Sequence, residues 1–476
     1  MKLFLLLLFG GFSLGVIAQE PQLSPPETIQ QVSTDTAKLR VDKILITGNR
    51  KTKSYIIERE MKFKAGDYTI ASQIAYNLEL SRQLIYNTNL FSEVWVQPVF
   101  KEHSTIDIYV TVTEKWYLYP TPQFQLVDRN FNEWANVYHY SFSRVIYGLR
   151  FVHYNFSGRR DQLRFILLNG YARNYAVQYS APYSNSKLDE GFGFSAGFTQ
   201  NREISFATSA TNKLQQYNNQ KTFVRNVFQA YGHYSSRKGY FSRHRYQAGY
   251  TYMQVSDSVI QHYNPSYFND SSAKKNIIDL SYNYSYLNVN NINYPLSGKS
   301  YGLSVLKRGL AFSGGINLLS LDAAYNRYFN LGKGWYFSTE LWGRIKLPFR
   351  QAYINRRALG YGDLNLRGLE YYVIDGSWAS LVKTTWRKKI VDFKIPFPIK
   401  NKIVPYIPFA FYAKVFGDAG YVYSQADARA KLNNKILYST GLGLDMITLY
   451  DVTVRLDYSF NQLGEKGLFL HLTGGF

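Results

Sequence analysis

The chain has 476 residues, 46% of them hydrophobic and 17% aromatic, no cysteine and a formal charge of +22. That content builds a large core without disulfides, and beyond Glu20 no apolar run approaches the ~18 residues that a membrane helix needs, which excludes helical spanning. The basic residues are scattered rather than clustered, so nucleic acid is set aside as a partner and phosphate-rich lipid surfaces are the better counter-charge.

The opening "MKLFLLLLFGGFSLGVIAQE" has one lysine, a short apolar core and small residues at Val16 and Ala18, which predicts a signal peptide over 1–18. With no cysteine for lipid attachment, the expected mature chain is not a lipoprotein. Residues 19–40, with "SPPET", read as a flexible lead-in. A compact unit is expected over 41–115: "VDKILITGN" as a strand, "TKSYIIEREM" as a helix, "TIASQIAYNLELSRQLIYNT" as a second helix, then "FSEVWVQPVF" and "TIDIYVTVTEK" as strands. The order β-α-α-β-β is that of a small α+β module.

From Trp116 the pattern alternates. In "DVTVRLDYSF", Asp451, Thr453, Arg455, Asp457 and Ser459 share one face and Val452, Val454, Leu456, Tyr458 and Phe460 the other. Sixteen such segments follow one another, near 116–126, 142–156, 160–171, 174–184, 190–203, 222–235, 239–256, 275–288, 298–309, 316–330, 333–346, 377–389, 408–422, 436–447, 450–460 and 467–476. An even count of half-apolar strands predicts a closed antiparallel transmembrane β-barrel over 116–476. A sandwich also alternates, but its polar face would not carry acids and arginines in the proportions of a polar lumen. Parity places "SGRR", "SSRKG" and "LGKG" in short turns on one side, and "NREISFATSATNKLQQYNNQK" and "SDSVIQHYNPSYFNDSSAKK" in long loops on the other. The segment "IVDFKIPFPIKNKIVPYIP" breaks the short-turn rule; its prolines are expected to exclude a regular strand or helix and to leave it at the membrane edge or against a partner.

Five motifs in order carry a resemblance. "LITGNRKTKSYIIEREMKFKAGDYTIASQIAYNLELSRQLIYNTNLFSEVWVQ", closed by "IDIYVTVTEKW", resembles a POTRA domain. "NFSGRRDQLRF" with "YSAPYSN", then "LNLRGLEYY", "FGDAG" and "YSTGLGLDM…VRLDYSF…GLFLHLTGGF", resemble the first strands, the inward-folded sixth loop, its partner strand motif and the closing strands of the BamA/TamA-type outer-membrane assembly superfamily. The resemblance covers 41–476. It implies a sixteen-stranded outer-membrane barrel with one periplasmic POTRA domain, in a bacterial or organelle-type outer membrane. The implied activity is non-enzymatic, without cofactor or metal: assembly or translocation of client polypeptides. Its implied partners are outer-membrane lipids and lipopolysaccharide, unfolded clients, and periplasmic or lipoprotein factors; the alternative is an accessory barrel subunit of another envelope complex. The chain departs from the pattern in having one POTRA domain, Leu369 where an aromatic is usual, and the proline-rich segment.

On the thirteenth expected strand, Tyr412, Lys414, Phe416, Asp418 and Gly420 face the lumen. Lys414 lies four residues from Asp418, ~13 Å along a strand and beyond pairing. The resemblance implies Arg367 as the partner of Asp418, with Gly368 turning the backbone, Leu369 beside it, and Gly417 and Gly420 leaving room for the loop tip. Arg344 and Arg455 remain alternatives on the barrel wall. The resemblance also implies a C-terminal barrel signal carried by Gly467, Leu470, Leu472 and Phe476. "GFSAG" at 193–197 sits within an alternating strand, not the strand-turn-helix that a nucleophile needs. "SGKS" lacks a P-loop's first glycine, and the seven histidines have no metal-ligand spacing.

Overall fold

The computed structural model describes residues 37–102, 104–127, 139–310, 315–362, 364–398 and 405–474. The expected signal peptide, most of the lead-in, residues 399–404 of the proline-rich segment, Gly475 and Phe476 lie outside the described residues.

The N-terminal module comprises β1 (Lys38–Thr47), α1 (Ser54–Glu58), β2 (Tyr68–Ile70), α2 (Ile74–Tyr86), β3 (Phe91–Lys101) and β4 (Thr105–Glu114), with its sheet ordered β2-β1-β4-β3. Two expectations are corrected. Thr69 and Ile70, read as the start of the second helix, lie in the strand Tyr68–Ile70 that pairs antiparallel with Lys38–Arg40, because these β-branched residues suit a pleat better than a helix. Lys38–Arg40 therefore belong to the module rather than to the lead-in. Ile56, Ile57, Ile85, Phe91, Ile106 and Ile108 are fully buried between the helices and the sheet.

One antiparallel sheet of sixteen strands follows in chain order. Its first five strands are β5 (Leu118–Leu126), β6 (Val145–Tyr154), β7 (Gln162–Gly170), β8 (Ala172–Ala181) and β9 (Glu190–Asn201). The hairpin β10 (Glu203–Thr208) and β11 (Leu214–Asn218) stands outside the wall. The wall resumes with β12 (Arg225–Lys238), β13 (Ser242–Val255), β14 (Lys274–Val289), β15 (Gly298–Arg308), β16 (Leu318–Gly332) and β17 (Trp335–Leu347). After the loop pair β18 (Arg357–Leu359) and β19 (Ile374–Asp375), it closes with β20 (Trp378–Pro396), β21 (Tyr406–Tyr423), β22 (Ile436–Ile447), β23 (Thr453–Asn461) and β24 (Lys466–Thr473). The Trp116 N–H donates to the Tyr450 hydroxyl at 3.2 Å, which brings the two ends of the sheet together at the module's rim. Alternation sets the faces: Thr453, Asp457 and Ser459 are buried inward while Leu456 and Phe460 are exposed outward.

The proline-rich segment does form strands. The β20–β21 hairpin continues past the neighbouring β17, pairing Val391↔Phe411 through Pro396↔Tyr406 after a bulge. The Phe397 N–H bond to the Pro405 carbonyl, 2.9 Å, puts odd-numbered residues in the hydrogen-bonded pairs, so Pro396 and Pro408 occupy sites whose N–H is not used between the strands. Neither flanking strand reaches them, and a proline costs a ladder nothing on a free edge. Val391, Phe393 and Ile395 lie on the outer face of this extension, and Lys394 on its inner face reaches Glu93 of β3 at 3.4 Å.

The long connections 202–224, 256–273 and 348–377 lie on the rim opposite the module. With no native cysteine in the chain, Gln215→Cys in the β10–β11 hairpin is expected to react with an impermeant maleimide on intact cells, and Lys238→Cys in the β12–β13 turn only after permeabilisation. The reverse pattern would invert the barrel.

Candidate functional site: the lumen latch and the seat of the N-terminal module

The connection 348–377 between β17 and β20, loop six, folds into the lumen. Lys346, at the end of β17, ties down its base by donating to the carbonyls of Asn355 at 2.7 Å, Gly376 at 3.5 Å and Arg357. Leu359, Leu366, Leu369 and Ile374 bury themselves against Ala379, Leu381, Val422 and Leu437 of the wall. The position of Leu369 is thus filled by an aliphatic core residue.

At the loop tip Arg367 meets Asp418. Its Nε donates to Oδ2 at 2.9 Å, its Nη2 to Oδ1, and its backbone N–H to Oδ2 at 3.0 Å. The remaining donors reach Thr385 Oγ1 at 3.0 Å and the Thr384 carbonyl at 3.2 Å, and the guanidinium lies 4.0 Å from the Phe416 ring centroid. The carboxylate is fully enclosed, so it needs this bidentate, stacked partner; an ammonium supplies neither the fork nor the plane. Gly368 has φ +85°, and a Cβ there would stand 2.8 Å from the Ser459 Cβ. Gly420 faces the loop, with Leu366 Cδ1 3.3 Å from where its Cβ would be. Gly417 does not: a Cβ there would meet only Thr384 Oγ1, at 3.7 Å, because its parity points it away from the lumen.

Loop six also reaches the closing strands. The Gly368 carbonyl accepts from Asn461 Nδ2 at 2.8 Å, Glu370 pairs with His471 at 3.0 Å, and the rings of Tyr371 and Phe469 are 5.5 Å apart. Gly467 lies on the same inward face of β24 as Phe469, whereas Leu470 and Leu472 point outward. Of the alternative partners of Asp418, Arg344 binds Asp322 instead. Lys414 sits between Asp445 at 2.6 Å and Asp457 at 2.7 Å, a second buried ion cluster. Sequence reasoning missed it, although all three residues hold inward positions on consecutive strands.

A second missed constellation seats the module on the rim. Glu60, just beyond α1, receives Arg237 from the end of β12 through Nη2 at 2.7 Å and through Nη1, and the Tyr183 hydroxyl at 3.0 Å. Arg160, in the "SGRR" turn, donates to the Thr88 carbonyl at 2.9 Å and to Tyr183 at 3.2 Å. Across the rim, the Tyr86 hydroxyl at the end of α2 bonds Asp451, which also accepts from Asn291 and Asn293. Burial raises the Glu60 carboxyl, but the Arg237 hydrogen bonds and charge outweigh it and hold the group below its ordinary 4.5.

Residues 39–115 match the family described as POTRA: Surface antigen variable number repeat. The chain is a POTRA-plus-barrel protein. In fold it is similar to CdiB from Escherichia coli, with a TM-score of 0.52 and 12% identity over 91% of this chain and 75% of that one. BamA from Haemophilus ducreyi lacking POTRA domains 1-3 aligns at a TM-score of 0.47 and 17% identity, over 92% of this chain and 84% of that one. No curated protein matches the sequence. The POTRA domain and the sixteen-stranded barrel are the two parts that the sequence resemblance implied.

Two predictions follow from this geometry. Arg367→Ala and Asp418→Ala each leave a buried charge uncompensated, a loss of ~3–5 kcal/mol if fully desolvated and less in a wet lumen. Both are expected to give folded barrels with loop six open to added protease, the double variant no more sensitive than either single one and Arg367→Lys intermediate; additive effects would mean that the two residues are not partners. For the POTRA seat, the sign follows from the lowered Glu60 value: its contribution is present above 4.5 and is lost as pH falls through the lowered value. Spin labels on the POTRA domain and the barrel rim are therefore expected to hold one separation from neutral pH to 5 and to spread only well below 4.5. Arg237→Ala should spread them at neutral pH.

Proposed function

We propose that this protein takes up polypeptide segments and inserts them into, or passes them across, a bacterial outer membrane, with the POTRA domain in the periplasm and no enzymatic step. The observation that carries this reading is the seam: among the described residues no ladder joins β5 to β24, although every other neighbouring pair in the sheet is bonded. In lipid, unbonded backbone groups are costly, so an unladdered seam is a site that accepts a strand. The POTRA domain supplies a capture surface. Its β3 is an edge strand that exposes Trp95 and Phe100, and an extended client segment pairs with such an edge through its main chain. Membrane lipids, lipopolysaccharide, unfolded clients and periplasmic or lipoprotein factors are the partners this implies.

The Glu60–Arg237 and Tyr86–Asp451 contacts, which seat the POTRA domain on the rim, favour a second reading, a structural subunit of another envelope complex. Depletion followed by outer-membrane proteomics separates the two. An insertion factor lowers the level of particular barrel proteins, with Asp418→Ala failing to restore them. A structural subunit leaves barrel-protein levels unchanged.

A further inference from the structure

The two walls of the lumen are unlike in charge. We infer that the wall formed by β6 to β9, β12 and β13 is a carboxylate-binding surface at the POTRA end of the barrel, and that its occupant is an extended acidic segment of a polypeptide taken up there. This rests on the insertion reading above and names the class of segment that is taken up.

Parity defines the two walls. Leu167, Phe194, Phe228 and Tyr246 are exposed on the outer face, so the alternate positions of their strands turn inward. Among the described residues of β6 to β9, β12 and β13, the inward positions carry Arg150, Arg164, Arg225, Arg237, Arg243 and Arg245 and no acid. The inward acids belong to strands from β14 to β23, where Asp279, Asp322, Asp418 and Asp445 each already hold a cation. A cleft lined by one sign of charge concentrates ions of the other.

At the POTRA end the donors of this wall are not used up. Arg237 and Arg243 stand directly opposite each other on β12 and β13, a pairing of like charges that is unfavourable without an anion beside it. Glu60 answers Arg237, whose donors go to that carboxylate, to Tyr183 and to the Tyr240 carbonyl. The Arg243 guanidinium makes no hydrogen bond or ion pair among the described residues. Together with Arg160, the two line a cavity of ≈ 250 Å³, against the ~10–15 Å³ that admits one water. Gln162, on the same lining, has its Nε2 buried without an acceptor. The carboxylate on that lining, Asp189, accepts from Asn185 Nδ2 at 2.6 Å and forms no ion pair among the described residues. The free donors therefore call for an anionic acceptor, and a guanidinium takes a carboxylate through two parallel bonds.

Spacing makes the occupant a polypeptide rather than a free ion. Arg243 and Arg245 hold successive inward positions on β13, two residues and ~7 Å apart, and the side chains on one face of any extended chain repeat at that interval. A segment with Asp or Glu at every second residue therefore sets one carboxylate against each arginine. Arg245 Nη2 donates to His233 Nδ1 at 2.9 Å, which leaves its other donors for the second carboxylate. Glu60 already shows the chemistry: it is an acid from a separate part of the chain, seated on this wall by Arg237.

Peptide binding to the full chain in lipid nanodiscs, read by fluorescence anisotropy, tests the inference. The probe is a labelled peptide of about eight residues that alternates glutamate and threonine, long enough when extended to pass both arginines; the control has glutamine for glutamate. The acidic peptide is expected to bind and the control is not. Arg243→Gln with Arg245→Gln should lower its affinity at least about tenfold through lost charge-assisted bonds. Lys221→Gln with Lys274→Gln, exposed on the far rim, should leave it unchanged. A photo-cross-linker on the peptide should mark β12 and β13 in the unaltered protein, a readout that needs no variant to fold. Failure of the acidic peptide to bind, equal binding of the control, undiminished affinity in the arginine double variant, or cross-links confined to the outer surface overturns the inference. Displacement by inorganic phosphate at the peptide's own concentration overturns the assignment to a polypeptide. None of these results touches the insertion reading, which the depletion experiment decides by itself.

Discussion

The ion pair between Arg367 and Asp418 is the interaction on which the arrangement of the lumen depends. A carboxylate with no exposed surface on a barrel wall is tolerated only if a cation is brought to it and its lone pairs are filled. Arg367 does both, with two side-chain bonds and one from its backbone, and Phe416 covers the guanidinium plane. Because the cation comes from a loop rather than from the wall, satisfying the acid fixes the loop. Loop six then fills the lumen with Leu359, Leu366 and Leu369 and meets the closing strands through Gly368, Glu370 and Tyr371. One pair thereby links β20 and β21 to β23 and β24, the strands that lead to the seam.

The POTRA domain is held by the same physics at the opposite end. Its core is its own, but its position comes from charges that neither part satisfies alone: Glu60 needs Arg237, and Asp451 collects donors from Tyr86, Asn291 and Asn293. A carboxylate enclosed by arginine and tyrosine is a strong seat while it lasts and a poor one once either partner is withdrawn. The domain that is proposed to capture a client therefore also rests on the mouth through which the client would pass.

Much of this was legible in the sequence because a barrel wall writes itself in period two. The sixteen alternating segments and the inward parity of Asp418, Lys414 and Asp457 follow from the pleat alone, and the strand ends fall within a few residues of the turns. The Arg367 partnership was not readable from spacing, since loop residues have no period; only the resemblance pointed to it. Two things were misread and one was missed, for identifiable reasons. Tyr68–Ile70 lies beside a strong helical pattern, which hid a short edge strand. The prolines of the β20–β21 extension look prohibitive until the register shows both on unused donor positions. Glu60, Arg160 and Arg237 were not singled out as a group, because a contact between two parts of a chain leaves no local pattern in either.

From within the wall, Asp418 is expected to hold loop six in place. A double electron resonance distance between spin labels at Tyr371→Cys on the loop and Ile436→Cys on the outer face of β22, both exposed, measures this directly. One narrow distance distribution is expected in the otherwise unaltered protein and a broad one with Asp418→Ala, while barrel circular dichroism stays the same. A distribution that remains narrow in the Asp418→Ala background would contradict it, because the loop would then be held by its packing and not by the pair.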